Sequence, residues 1–307
     1  MVRITYNEAM TMLYLSQLIY DYNHNDKFDL HYGETISEFI KRIDIENNNF
    51  DYIRNSLFYL LHISPDGMML KHIIDKNTNV HVAIIISNKC KNIAIVFKGT
   101  TSIGDYYYNF NIFSKQIKNF NIHSGFYGQI KSIMKQIFNI INPYLLNNYN
   151  LYLTGHSSGG ANATLLTHFI SEKYSNVLIK LITFGCPRVG DAQWKKSFEE
   201  KNNIIHYRIT NQNDIVTIIP TINYFHVGRE IYISNDKLCY MENYSCNSII
   251  NKMSFYYYNI IDHQMLNYVK NMSNKEYLWN QLYSNYHIHH DNYNEISNDF
   301  NDVIMMY

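Results

Sequence analysis

The ten residues Leu151-Tyr152-Leu153-Thr154-Gly155-His156-Ser157-Ser158-Gly159-Gly160 constrain this chain more than any other stretch. An alternating apolar run ends in Gly-x-Ser-x-Gly, and the helix-compatible Ala161 to Leu166 follows at once. A strand that turns directly into a helix holds its central residue in strained backbone, so its neighbours must be small; Gly155 and Gly159 carry no Cβ to clash as the helix folds back past the strand. Ser157 then stands clear of the sheet edge, faced by the unpaired N–H groups of the helix N-terminus. A five-residue pattern also arises by chance in plain loops, so the strand before it and the helix after it carry the reading.

The rest of the chain supplies the same kind of unit repeatedly. Asn79 to Ile86 and Asn92 to Phe97 read as strands, the second fully buried and ending in Lys98-Gly99-Thr100. His123-Ser124-Gly125-Phe126 opens a long helix with Phe126, Ile130, Ile133, Ile137 and Ile140 on one face, stopped by Pro143. Leu178 to Phe184 and Ile204 to Thr210 are further strands, with a helix over Ala192 to Glu200 between them. Strands alternating with helices of this length predict an α/β fold, a mostly parallel sheet with helices on both faces, whose site lies beyond the carboxyl ends of the strands. Ser157, Thr100 and Asp214 each follow a strand closely.

Residues 1–272 read as a single domain. The first 65 residues look helical and are expected to pack outside the sheet without chemistry; Ala9, Met12, Leu13, Leu15, Leu18 and Ile19 suit an amphipathic helix, with further helices over Thr35 to Ile43 and Tyr52 to Leu61. Ile103, Tyr106, Tyr107, Phe110 and Phe113 fall at helical spacing near the site, which favours a mobile flap over a lipophilic pocket to a plain surface helix. Residues 273–307 read as a polar tail, its His287, His289, His290 and Asp291 included, so no metal is expected there.

The 307 residues carry 26 basic and 26 acidic side chains with no Lys/Arg block, so nothing calls for nucleic acid or an anionic membrane. No apolar run approaches a transmembrane span, and Glu8 interrupts the only apolar stretch near a signal-peptide position; the expectation is a cytoplasmic rather than a secreted protein. None of the four cysteines has zinc-ligand spacing, although Cys239 and Cys246 could close a small disulfide loop in an oxidising compartment. The 29 tyrosines make any one of them a weak signal.

A serine nucleophile needs a histidine to take its proton and an acid to fix that histidine's tautomer. Among the downstream acids Asp214 is preferred, one turn past a buried strand, with Asp191 as runner-up. Asp262-His263 precedes an amphipathic run, Met265, Leu266, Tyr268 and Val269, that would anchor the loop carrying an imidazole. His226, between Phe225 and Val227, reads as a packed structural histidine. Oxyanion donors are the N–H of Ser158 and the N–H of Thr100, with the Thr100 hydroxyl as a further candidate.

At this point six motifs, in order, resemble the fungal-type, or class 3, lipases of the α/β-hydrolase fold. Val96-Phe97-Lys98-Gly99-Thr100 is similar to the family's oxyanion strand, His123-Ser124-Gly125-Phe126 to its His-x-Gly-Phe, and Gly155 to Gly160 to its Gly-His-Ser-Leu-Gly-Gly. Thr183 to Asp191, Asn211 to Pro220 and Asp262-His263 resemble its Phe-Gly-x-Pro-Arg-Val-Gly segment, its acid loop and its late Asp-His pair. The resemblance, over about residues 80–268, implies a Ser157–Asp214–His263 triad, Thr100 and Ser158 as oxyanion donors, no cofactor or metal, and a lid over about residues 102–115 with Ile103, Tyr106, Tyr107 and Phe110 toward substrate. It implies a serine carboxylester hydrolase, foremost a triacylglycerol lipase acting on a lipid ester, with a phospholipase, another esterase or a binding protein that has lost catalysis as alternatives. Two departures stand out: Ser158 replaces the usual leucine, and Lys98 replaces an arginine, losing its planar fork.

Overall fold

The computed structural model describes residues 3–21, 31–43, 60, 66–100, 113–241 and 258–282. Eight strands form one sheet in the order β1(Met68–Asp75), β2(Val80–Ser87), β3(Asn92–Phe97), β6(Asn150–His156), β7(Ile179–Phe184), β8(Ile204–Asn211), β9(Arg229–Ile233), β10(Leu238–Met241). β3, β6, β7, β8 and β9 run parallel, and β1, β2 and β10 add antiparallel strands at the two edges. A separate hairpin, β4(Ser114–Ile117) with β5(Phe120–His123), precedes the long helix.

Alternation along the strands makes two cores, because successive side chains leave opposite faces of a sheet. Ile93, Ile95 and Phe97 of β3 and Leu151 and Leu153 of β6 enter one core; Ala94, Val96 and Tyr152 enter the other. The first core is covered by α3(Ser124–Leu145), α4(Ser158–Lys173) and α5(Ala192–Glu199). α3 buries Phe126, Ile130, Ile133, Ile137, Ile141 and Leu145, an i, i+3/i+4 stripe worth roughly 1.5–3 kcal/mol per side chain. Pro143 does not stop this helix: it removes one intrahelical bond in the last turn, and Leu145 still packs into the core.

The second core is covered by α1(Tyr6–Asp21), α6(Met265–Met272) and α7(276–282). Here the structure departs from the sequence reading. α1 is not amphipathic: Ala9, Met10, Met12, Leu13, Tyr14, Leu15, Ser16, Gln17 and Ile19 are all buried. One side meets the sheet, where Ser16 Oγ pairs with Thr154 Oγ1 at 3.0 Å. The other meets the stretch read as a polar tail from residue 273, in which α7 buries Trp279 completely and its indole Nε1–H donates to the Ile4 carbonyl at 3.2 Å. The packed fold therefore reaches residue 282, and the His287 cluster lies outside the described residues.

Strands β1, β9 and β10 have no counterpart in the sequence reading. β1 mixes buried and exposed positions around a bulge between Met69 and Lys71, so it lacks clean alternation. The α2 helix (Ile36–Ile43) matches its expected position, while Tyr52 to Leu61 lies almost wholly outside the described residues, as do Ile103, Tyr106, Tyr107, Phe110 and Cys246. Of the stretch expected as a lid, about residues 102–115, Ser114 and Lys115 lie in the β4–β5 hairpin and residues 102–112 lie outside the described residues. No helix among the described residues is long and apolar enough to cross a membrane.

Candidate active site

Ser157 sits between β6 and α4 with φ 59° and ψ −133°, the left-handed side that a side chain normally avoids. Its amide donates to the Phe184 carbonyl at 2.9 Å, tying the turn to the end of β7. A Cβ on Gly155 would stand 2.5 Å from the Gly159 carbonyl oxygen and 2.8 Å from the Gly160 nitrogen, so the α4 backbone crosses the strand at a distance only glycine permits. The register of the parallel strands places Thr100 after β3, Ser157 after β6 and Asp214 after β8 at one edge of the sheet.

Asp214 caps the single 3₁₀ turn Ile215–Ile218, its Oδ1 accepting from the Val216 amide at 2.8 Å. Its two carboxylate oxygens lie 2.9 and 2.8 Å from His263 Nδ1, and both side chains are fully buried. A carboxylate on Nδ1 fixes the proton there and leaves Nε2 with a lone pair able to accept one. His263 Nε2 is buried and has no hydrogen-bond partner among the described residues. His263 arrives on a loop pinned to the Asp214 loop: Asn259 N–H donates to the Asn213 carbonyl at 3.0 Å and Asn211 Nδ2 to the Asp262 carbonyl at 2.8 Å. Asp262 latches this loop from within, its Oδ2 accepting from Asn213 N–H at 3.1 Å and Asn259 Nδ2 at 2.9 Å.

Three further side chains surround the pair; sequence reasoning named Tyr268 only as part of the run anchoring the His263 loop and gave His156 and Tyr20 no role. Tyr268, one turn into α6, is fully buried and donates its hydroxyl to Asp214 Oδ2 at 2.5 Å. Burial first, and then the Asp214 charge, push its phenol well above the usual range, so it remains a donor. His156 stacks on His263 with ring centroids 4.4 Å apart, and its Nε2–H donates to the His263 carbonyl at 2.8 Å. Tyr20, from α1, bonds His156 Nδ1 at 2.8 Å. The N-terminal helix expected to hold no chemistry thus reaches His156, the residue before Ser157. Gly185 has φ +56°, and a Cβ there would lie 2.8 Å from Asp214 Oδ2 and 2.9 Å from His263 Nδ1. Its signal was the strand end after Phe184; Tyr268 was signalled only by its place in the amphipathic run after His263, and Tyr20 offered nothing among so many tyrosines.

The runner-up residues have other partners. Asp191 caps α5 through Trp194 N–H at 2.8 Å and accepts from the Asn121 amide at 2.8 Å. His226 Nε2 donates to the Thr217 carbonyl at 2.5 Å, and burial, followed by the Arg208 and Arg188 charges, holds it neutral. On the oxyanion side, Thr100 N–H donates to Ser158 Oγ at 3.0 Å, and the Thr100 and Ser158 hydroxyls are also 3.0 Å apart. Among the described residues no group of three or more His, Cys, Asp and Glu side chains could hold a metal ion.

A family profile described as lipase (class 3) matches residues 94–224, from β3 to just short of β9, which includes Thr100, Ser157, Ser158 and Asp214. A lipase from Rhizopus niveus is 29% identical over 193 residues, 58% of this chain and 49% of that protein, so this chain spans about half the length of that relative. Phospholipase A1-II 1 of Oryza sativa subsp. indica is 23% identical over 269 residues, 74% of this chain and 68% of that protein. The crystal structure of a lipase from Rhizopus microsporus var. chinensis superposes with a TM-score of 0.59 at 26% identity, covering 67% of this chain and 76% of that one. With its mostly parallel sheet, its serine at a strained strand–helix turn and these similarities, the chain has the α/β-hydrolase fold and resembles the class 3 lipases over residues 94–224.

Proposed function

We propose that the protein is a serine carboxylester hydrolase with Ser157 as nucleophile, His263 as general base and Asp214 as the acid that orients it. The observation that carries this reading is the buried Asp214–His263 pair, bonded through Nδ1, with Nε2 without a partner among the described residues and the ring stacked on His156, the residue before a serine held at φ 59°. Ser157 Oγ attacks the ester carbonyl while Nε2 takes its proton, then returns it to the departing alcohol; water repeats the sequence on the acyl-enzyme. The Ser158 N–H, in the first turn of α4 and without an intrahelical acceptor, and a donor from Thr100 bind the oxyanion.

Triacylglycerol is the foremost substrate class, in keeping with the lipase relatives and with the apolar segment after Thr100. A phospholipid ester is the second reading, favoured by the rice phospholipase A1 similarity, which extends over 74% of this chain. A fluorophosphonate probe tests the chemistry: it labels Ser157 and fails on Ser157→Ala, and a folded wild type that stays unlabelled overturns the enzyme reading. Hydrolysis rates on triacylglycerol, monoacylglycerol and phospholipid, each with the Ser157→Ala control, then decide between the substrate classes.

A further inference from the structure

The residue after the nucleophile contributes more than its amide. Ser158 stands where the family resemblance has leucine, it is 4% exposed, and its side chain faces Thr100 rather than solvent. Thr100 N–H, one of the two amides a hole of this kind would use, is directed into Ser158 Oγ at 3.0 Å. An amide carries one proton, so this donor is engaged. The same Oγ lies 3.0 Å from Thr100 Oγ1. Either hydroxyl of that pair could donate; one that accepts from an N–H is polarised to pass its own proton onward, which favours Thr100 Oγ1 as the acceptor and leaves the Thr100 O–H for a third group.

We propose that the Ser158 side chain is a positioning residue of the oxyanion hole: it engages the Thr100 amide and turns the Thr100 hydroxyl into the donor that meets the oxyanion. This rests on the hydrolase reading above. The relay runs Thr100 N–H to Ser158 Oγ–H to Thr100 Oγ1–H to the oxyanion, with the Ser158 amide as the second donor. A leucine at position 158 could not engage that amide, which would then be free to face substrate. The hole here exchanges an amide donor for a hydroxyl, and its strength depends on a side chain that can be removed without touching the backbone.

The test is a double-mutant cycle on hydrolysis of a soluble short-chain ester, with thermal unfolding to verify that each variant is folded. Thr100→Val in the wild-type background lowers kcat about 10²–10³-fold with little change in KM, the loss of one oxyanion donor. In the Ser158→Ala background the Thr100 amide is released to take over, and the same Thr100→Val change costs less than about tenfold. Thr100→Ser, which keeps the hydroxyl, stays within about fivefold of wild type; Thr100→Ala replaces valine if that variant unfolds. Equal losses in the two backgrounds overturn the relay, as does an active Thr100→Val enzyme. A wild type that neither hydrolyses esters nor takes a fluorophosphonate instead fails the hydrolase reading beneath it.

Discussion

Tyr268→Phe separates what holds the acid in place from what the acid does. The tyrosine ring is fully buried and phenylalanine fills the same volume, so the change removes one oxygen and leaves no side-chain cavity. Two hydrogen bonds go with it: the 2.5 Å bond to Asp214 Oδ2 and the 3.2 Å bond from the Asn211 amide. A bond to a buried carboxylate contributes about 1.5–3 kcal/mol, and a buried N–H left without an acceptor costs about 1 kcal/mol at the weak end appropriate to that long bond. The expected loss of stability is therefore about 2.5–4 kcal/mol, a large share of a typical domain's total. Catalysis should respond differently. The Nδ1 contacts at 2.8 and 2.9 Å remain, and the carboxylate, relieved of one donor, holds the imidazole no less firmly. We expect kcat to stay within about tenfold, whereas Asp214→Asn, which imposes the wrong tautomer, should lower it about 10⁴-fold. Urea unfolding followed by the fluorescence of Trp194 and Trp279, both buried, gives the first quantity and ester hydrolysis the second. A Tyr268→Phe protein less than about 0.5 kcal/mol below wild type would refute the assignment of this hydroxyl to the Asp214 charge.

Gly185→Ala strikes the same pair from the other side: its Cβ would sit 2.8 Å from Asp214 Oδ2 and 2.9 Å from His263 Nδ1, on a backbone at φ +56°. Displacing the base by even an ångström lowers kcat about 10²-fold, and a wild-type rate would mean that the loop absorbs the clash without moving either group. Trp279→Ala, in the stretch that reads as polar tail, should cost about 3–5 kcal/mol in urea unfolding; a neutral result would return α7 to the status of an accessory. Buried histidines set the acid limb of stability. Burial holds His168 at about 4, and burial with the Arg208 charge holds His206 at about 3, while an unfolded histidine titrates near 6.5. Below about pH 6.5 the unfolded chain binds protons that the folded one refuses, so stability is complete above that pH and falls as pH drops toward 4, by up to about 1.4 kcal/mol per pH unit for each such histidine. A urea midpoint that stays flat from pH 7 to 5 contradicts this.

What was legible in the sequence is what local pattern encodes. The central strands announce themselves because both faces are buried, and Thr100, Ser157 and Asp214 could be placed because each ends such a strand. The outer strands were invisible for the opposite reason: β1 is bulged and half-exposed, and β9 and β10, with five and four residues, are too short to show a clear alternation. α1 was mistaken for an outer helix because its second buried face exists only where Trp279 and Met272 close over it, a contact between opposite ends of the chain that no window of residues contains. The same distance hid Tyr20, which lies 136 residues from the histidine it bonds.

That long-range contact explains why the loop carrying His263 is held so firmly just ahead of a short helix. α6 has only eight residues, about 12 Å, too short to be stable or oriented alone. α1, twice that length, grips it at both ends. Near one end Tyr6 donates its hydroxyl to the Met272 carbonyl at 2.8 Å. Near the other, Tyr20 bonds His156, and His156 in turn holds the His263 carbonyl. A carbonyl only accepts, so the His156 proton is on Nε2; Nδ1 is the acceptor, and Tyr20 is its donor. Burial, and then the neighbouring His263, keep His156 neutral. That neutrality matters because the ring is stacked on His263: a charged His156 at 4.4 Å would oppose the imidazolium that must form when Ser157 attacks. The N-terminal helix therefore acts as a splint for the His263 loop and fixes the tautomer of the ring packed against it, while His263 Nε2 has no partner among the described residues.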